Sequence, residues 1–327
     1  MKKLPNNKLG IFLILTGALL ILSQISHAQT ALRTFTIVPP AVEKALNPGE
    51  RTEGILKVIN DSEETLVFTV TMRDFVVEDS KGTPKFLPQN SLDNRYSAAN
   101  WIAVSPTTFS LLPHKRQELN YFIQVPGNAR PGGHYAAVVY KPASGGNIQG
   151  SGSSVSTQIG SLFYVGVNGD IKESASILSF LSKSFQEYGP VSMAAKIKNN
   201  GDLHIKPQGN ISVYNFLGQR VDLKGLPENN IFPGGVVRDY QQNVGSKIMV
   251  GPYTAKLLAS YGKNNNLPLT AAFTFWVFPW RLVLLLVLII IAAVLGYLYI
   301  QRGKNKDITP PKEGKEEPET STEPQKA

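Results

Sequence analysis

The sequence predicts an all-β protein: two tandem β-sandwiches behind an export signal, ending in one transmembrane helix. Two observations carry the sandwiches. From residue 34 onward apolar and polar residues alternate with period two in short runs bounded by Pro, Gly and Asn, and no stretch before residue 280 shows a helical period of 3.6. The pattern then restarts after the turn signal Asn168-Gly169-Asp170. A third observation carries the helix. The uncharged run 282–300, LVLLLVLIIIAAVLGYLYI, would span roughly 28 Å at 1.5 Å per residue, close to the ~30 Å hydrocarbon core of a bilayer.

Taken in order, residues 1–28 read as a secretory signal. Lys2, Lys3 and Lys8 precede an apolar run at 11–22, and Ser26-His27-Ala28 offers small residues for cleavage after Ala28. An uncleaved signal anchor is the alternative. The first sandwich, 29–170, is expected to hold strands at 34–38, 54–60, 66–75, 101–104, 108–111, 117–125, 134–141 and 157–167. Two interruptions break it. Residues 78–98, EDSKGTPKFLPQNSLDNRYSA, are too polar and too rich in turn formers for a strand, and read as a long surface connection. Residues 143–156, ASGGNIQGSGSSVS, read as a mobile hairpin tip.

The second sandwich, 171–278, is expected to hold strands at 171–180, 191–198, 210–214, 236–241, 253–261 and 270–277. A weak internal repeat links the two modules. KVIND at 57–61 matches KIKNNGD at 196–202, LLPHKRQELNYF at 111–122 matches IFPGGVVRDYQQ at 231–242, and RPGGHYAAVVY at 130–140 matches VGPYTAKLLASY at 250–261. Asn tolerates positive φ, Pro fixes a turn entry and Gly lets the chain reverse, so the shared signals are structural.

The helix is expected at 279–301, followed by a disordered tail, 302–327, rich in Lys, Glu, Pro and Thr. Trp276 and Trp280 at one end and Tyr297 and Tyr299 at the other have the amphipathic rings of membrane interfaces. Arg302 and Lys304, with Lys306, outnumber the lone Arg281, so the tail is placed in the cytoplasm and both sandwiches outside the cell.

The chain has 327 residues and no cysteine, so an exported fold here uses neither disulfides nor thiolate metal sites, as suits a bacterial envelope protein. Of its formal charge of +9, the signal carries +3 and the tail sums to zero, so the exported part has 24 basic and 18 acidic residues, a net +6, scattered singly along the strands without the interleaved aromatics of a nucleic-acid platform. Catalytic motifs are scarce. His114, His134 and His204 all sit at turns with no H-x-x-x-H spacing, there is no G-x-S-x-G elbow or phosphate-binding loop, and GSGSS at 150–154 resembles a nucleophile site only in composition. Carboxylates cluster at Asp61, Glu63 and Glu64 and at Glu78 and Asp79 without a Gly-turned calcium loop. No enzyme activity, cofactor, metal or small-molecule substrate is expected. Rigid amphipathic rings are the better binding candidates: Tyr96, Trp101 and Tyr121, with a core role as the alternative for Trp101.

The stretches LNPGERTEGILKVIND, VPGNARPGGHYAAVVY and NNGDLHIKPQGNISVYNFLGQRV, followed by FTFWVFPW, a span and a short basic tail, resemble the WxL-interacting type of membrane-anchored surface protein of Gram-positive bacteria. That resemblance implies immunoglobulin-like domains, the first akin to pilus-chaperone modules. It further implies binding to a cell-wall polymer or a surface protein partner without catalysis. A structural stalk or a membrane-tethered subunit of an envelope assembly is the rival expectation.

Overall fold

The structure, a computed structural model, describes residues 34–88, 95–143 and 159–306. Residues 1–33, which include the expected signal, residues 144–158 of the Gly/Ser tract and the tail beyond 306 lie outside the described residues.

The first sandwich comprises β1 (Phe35–Val38), β2 (Ala41–Leu46), β3 (Arg51–Asn60), β4 (Leu66–Val77), β5 (Pro84–Phe86), β6 (Ile102–Ser105), β7 (Thr108–Leu111), β8 (Arg116–Gln124), β9 (Gly132–Pro142) and β10 (Ile159–Val167). One sheet has the order β1-β3-β8-β6, and the other β2-β10-β9-β4, with β5 and β7 both paired to β4. Pro39 and Pro40 have no N–H to give a ladder, so β1 ends at Val38 and the chain crosses to the other sheet. There β2 runs parallel to β10. Alternate residues point inward: Leu56 and Val58 of β3, Leu119 and Ile123 of β8, Phe68 of β4 and Phe163 of β10 share one core. Each such side chain contributes roughly 1.5–3 kcal/mol by burial.

The second sandwich comprises β11 (Ala175–Leu181), β12 (Phe185–Gln186), β13 (Val191–Asn199), β14 (Gln208–Asn215), β15 (Arg220–Gly225), β16 (Val237–Val244), β17 (Gly251–Tyr261) and β18 (Leu267–Val277). Its sheets have the orders β11-β13-β16 and β12-β18-β17-β14-β15. Met193 and Ile197 of β13 meet Ile211 and Val213 of β14, Leu257 of β17 and Phe275 of β18 in a separate core. The fold is therefore all-β with two immunoglobulin-like sandwiches. Helix α1 (Trp280–Lys306) follows β18 after only Phe278 and Pro279, is long and apolar enough to cross a membrane, and packs none of that apolar surface inside the protein.

Both sandwiches turn the same corner. Asn60, at the end of β3, donates through Nδ2 to the carbonyls of Glu64 (2.7 Å) and Leu111 (3.0 Å) and accepts from the Ser62 N–H (3.0 Å). Asn199, at the end of β13, donates to the carbonyls of Leu203 (2.8 Å) and Ile231 (2.8 Å) and accepts from the Gly201 N–H (2.8 Å). The repeat read from the sequence pairs these residues, and the hydrogen bonds explain it: a buried side-chain amide ties the end of one strand to the Pro turn of another. Asn60 opens the sequon Asn60-Asp61-Ser62 and is fully buried, so the folded protein offers no room for a glycan there.

Four strands depart from the sequence reading. β2 was hidden because its parallel partner lies far along the chain, and local alternation carries no trace of it. β5 lies inside residues 78–98, which read as strandless; Phe86 there pairs with Phe75 at the end of β4. β12 has two residues, and β15, RVDLKG, does alternate but is a solvent-facing edge whose Val221 and Leu223 stay exposed. Helix α1 also runs to Lys306, past the expected end at 301, because helical backbone bonding continues beyond the apolar run.

Candidate functional site

The candidate site lies where the two sandwiches meet. Strand β9 reads HYAAVVYK, nearly all apolar, and both of its faces are buried. Ala136, Val138 and Tyr140 face the first core, while Tyr135, Ala137 and Val139 face outward into a second apolar cluster. That cluster is closed by Phe232 from the second sandwich, whose ring meets those of Phe75, Tyr135 and Tyr164 edge-on at 5.6, 5.0 and 5.7 Å between centroids.

Polar contacts surround the ring cluster. The Tyr135 hydroxyl accepts from the His204 N–H at 2.9 Å and lies 3.2 Å from His204 Nδ1. His204 Nε2 lies 3.0 Å from Glu43 Oε1, and because a carboxylate can only accept, Nε2 is the donor there. The hydrogen bond from His204 holds the Glu43 carboxyl below the ordinary carboxylate range, against partial burial, which raises it. Burial pushes the Tyr135 phenol up. The Asp202 carboxylate takes Arg95 and, at 3.8 Å, Arg130, while its backbone carbonyl accepts from the Gly133 N–H at 2.8 Å. Gly132 has φ 120°, and a Cβ there would stand 2.7 Å from the Asp202 carbonyl, so the close approach of the two domains requires glycine. On the other flank Ser80 donates to Asp239 Oδ2 at 2.7 Å and accepts from its N–H at 2.9 Å.

The three ring candidates fall in different places. Tyr96 is half-buried between the guanidinium groups of Arg95 and Arg130, each 5.6 Å from its ring centroid, and belongs to the joint. Trp101 lies against the His134 ring, 4.3 Å between centroids, at the end of a short 3-10 turn that the Asp74 carboxylate caps by accepting from Ala98 and Ala99. Tyr121 is only 5 % exposed; its ring packs edge-on to Phe163 and covers Gly54, so it presents no surface to a partner. Residues 78–98 also need correction. Their described parts bind the second sandwich through Ser80, Arg95 and Tyr96, so the excursion serves the joint, while residues 89–94 lie outside the described residues.

Sequence reasoning missed Glu43, Tyr135, Asp202 and Phe232, and placed His204 at a turn without a partner. The one available signal was Ile231-Phe232-Pro233, where an aromatic stands beside the Pro turn.

Next to His204 the sandwiches leave a cleft of about 400 Å³, lined by Glu43, Lys44 and Ala45 of β2 and by Lys206 and Lys263 of the second sandwich. Strand β2 is the edge of its sheet there. The Leu162 N–H bonds to the Pro40 carbonyl and the Asn168 N–H to the Leu46 carbonyl, both at 2.9 Å. In a parallel ladder alternate residues face the partner strand, so Ala41, Glu43 and Ala45 direct their backbone groups outward. Among the described residues no three His, Asp or Glu side chains gather as a metal site.

At the opposite end of the second sandwich stand the ring and cation candidates of the membrane interface. Trp276 and Trp280 are exposed, Arg281 lies 3.5 Å from Glu187 and 5.5 Å over the Trp280 ring, and Tyr297, Tyr299 and Arg302 are exposed along α1. The side chain of Lys304 lies outside the described residues.

No protein-family model matches the chain, and no curated protein matches it in sequence. Solved structures similar to it include the class 5 fimbriae chaperone CfaA, at 13 % identity over 73 % of this chain and 98 % of the other, with a TM-score of 0.38. The SafB chaperone in complex with the SafA pilin of Salmonella enterica is similar at 12 % identity over 75 % and 98 %, with a TM-score of 0.34. A protein of unknown function from Porphyromonas gingivalis W83 is similar at 13 % over 73 % and 99 %, with a TM-score of 0.30.

Proposed function

We propose that the chain is a non-catalytic, single-pass membrane protein of the cell surface that holds an extended segment of another surface protein in the cleft between its sandwiches. The observation that carries this reading is the outward edge of β2, whose unpaired backbone groups run along a cleft rimmed by Lys44, Lys206 and Lys263. An edge strand is a template for a further strand, main-chain bonds giving affinity and neighbouring side chains giving selectivity. Glu43 and Glu173 also line the cleft and Lys206 is paired with Glu228 at 3.2 Å, so Lys44 and Lys263 are the cations left to meet a carboxylate on the segment. Helix α1 would keep the cleft outside the cell, with the short basic flank of Arg302 inside. The resemblance to WxL-interacting surface proteins belongs to this reading and is open to the same test.

The test is capture from envelope extracts by the full chain in detergent, comparing the parent with Ala45→Pro. Proline removes an N–H that faces away from β10 and leaves the β2–β10 ladder intact. Retention of a protein should fall at least tenfold. Equal retention by both proteins overturns the edge reading, and co-sedimentation with purified wall polymer, unaffected by the substitution, would assign the polymer instead.

The rigid joint favours a second reading, a stalk. Phe232, Asp202 and His204 lock the two sandwiches together, as a spacer requires. A single stoichiometric membrane partner that co-purifies equally with Ala45→Pro would support it.

A further inference from the structure

The end of the second sandwich that faces α1 differs from the end that faces the joint. Loops 200–207, 226–236 and 262–266 at the joint end expose no large apolar side chain, since Leu226, Ile231 and Phe232 are all buried. Every connection at the α1 end exposes at least one. The β14–β15 hairpin presents Phe216 at 69 % and Leu217 at 66 % exposure, the β16–β17 loop presents Ile248 at 84 %, and the β11–β13 connection presents Phe185 and Tyr188.

These tips are neighbours. A Cβ on Gly251 would touch the Phe216 ring at 3.9 Å, the Gly189 N–H bonds to the Lys247 carbonyl at 3.3 Å, and β12 pairs with Trp276 and Val277 immediately before α1. Apolar tips held out on tight turns gain nothing from the fold itself: the Asn215 side chain accepts from the N–H groups of Leu217 and Gln219 and so fixes the hairpin with both apolar residues turned outward. Lys183, Arg220 and Lys247 are exposed among them, while the acidic groups of this end are engaged, Glu187 by Arg281 and Asp222 by the Gly245 N–H.

We propose that this end of the second sandwich is a lipid-seating surface, with Phe216, Leu217 and Ile248 entering the boundary between headgroups and acyl chains and Lys183, Arg220 and Lys247 lying at the phosphates. The occupant is a bilayer because the surface is continuous with α1. Only Phe278 and Pro279 separate β18 from the helix, and two residues reach at most about 7 Å, so a bilayer crossed by α1 comes up against these loops. Rings and branched apolar residues at headgroup depth beside cations are the chemistry such a boundary favours. The inference rests on the reading of α1 as a membrane span.

The chain has no cysteine, so single substitutions can be labelled one at a time. Phe216→Cys, Ile248→Cys, Asn264→Cys at the joint end and Leu288→Cys in the middle of α1 would each carry an environment-sensitive fluorophore, in the full chain reconstituted into vesicles of phosphatidylcholine and phosphatidylglycerol. The expected result is strong quenching of labels at 216 and 248 by a lipid-borne quencher placed near the headgroups, with iodide quenching cut several-fold, while 264 stays open to iodide and 288 responds to a quencher deep in the acyl chains. Deep quenching at 288 with 216 and 248 open to iodide would overturn the seat and leave the span standing. Iodide access at 288 would overturn the span and the seat with it. Protection at 216 and 248 that vanishes as protein is diluted in lipid would assign the surface to a second copy and also overturn the seat.

Discussion

At the corner of the first sandwich Leu112 follows the tied residue Leu111 and is 59 % exposed, whereas at the corner of the second Phe232 follows Ile231 and is 7 % exposed inside the joint. The hydrogen-bonded asparagine is the same in both. A buried amide that bonds two carbonyls of the adjoining segments is a requirement of the turn itself, so it recurs wherever the turn recurs. The apolar side chain beside it is not constrained by the turn, and in the second sandwich it packs into the outer face of β9. The comparison separates what folds each domain from what joins the two.

The largest expected effect tests the shared part. Asn60→Ala removes both Nδ2 bonds and the acceptor of the buried Ser62 N–H, leaving the Glu64 carbonyl only the Ser62 hydroxyl at 3.2 Å, and should cost about 3–5 kcal/mol of stability in denaturant unfolding of the full chain in detergent. Asn199→Ala should cost nearly as much, slightly less because Asn60 also accepts from the Ser62 hydroxyl at 2.6 Å. A loss below about 1 kcal/mol at either site would break the equivalence of the corners. Phe232→Ala tests the unshared part. It should cost about 3 kcal/mol and split one calorimetric transition into two, since it empties the centre of the joint, while Leu112→Ala should change stability by less than about 0.5 kcal/mol.

A smaller effect concerns acid. The folded Glu43 carboxyl lies below its ordinary value of 4.5, held there by His204, so its contribution to the joint is complete above that value and is lost as pH falls through the lowered one. Much of the Glu43 side chain faces solvent, which limits the loss to under about 1 kcal/mol. Glu43→Gln should flatten this part of the stability profile below pH 4.5, and an unchanged acid slope in that variant would show that His204 does not engage Glu43.

Strands with a buried and an exposed face were legible because alternation is local. β13, VSMAAKIKN, carries its whole register in its own residues, as does β8. β2 was not, because VEKAL becomes a strand only when β10 arrives beside it. The joint was illegible for a related reason. Glu43, Tyr135 and His204 meet from three distant segments, and an isolated histidine after a turn looks the same in sequence with or without partners. The rings Tyr96 and Tyr121 drew attention as aromatic residues, but chemistry alone does not say which face of a sheet they occupy, and the sheets turn Tyr121 inward and Tyr96 toward the second domain.

The smallest effect returns to the corner. Where the second sandwich has Gly235 with φ 85°, donating to the Asn199 carbonyl at 3.0 Å, the first has His114 with φ 56°, donating to the Asn60 carbonyl at 3.0 Å. A residue with a Cβ pays about 1 kcal/mol in that left-handed region, and glycine does not. The His114 imidazole recovers little, since its contact with Glu63 at 3.1 Å joins two exposed groups. His114→Gly should therefore stabilise the first sandwich by about 0.5 kcal/mol, the relief of strain being partly offset by the greater freedom of glycine in the unfolded chain. His114→Ala, which keeps the Cβ and loses the ring, should not stabilise it. Unfolding midpoints for both, beside the parent, decide the matter: equal gains would locate the cost in the ring, and a gain in glycine alone would locate it in the backbone.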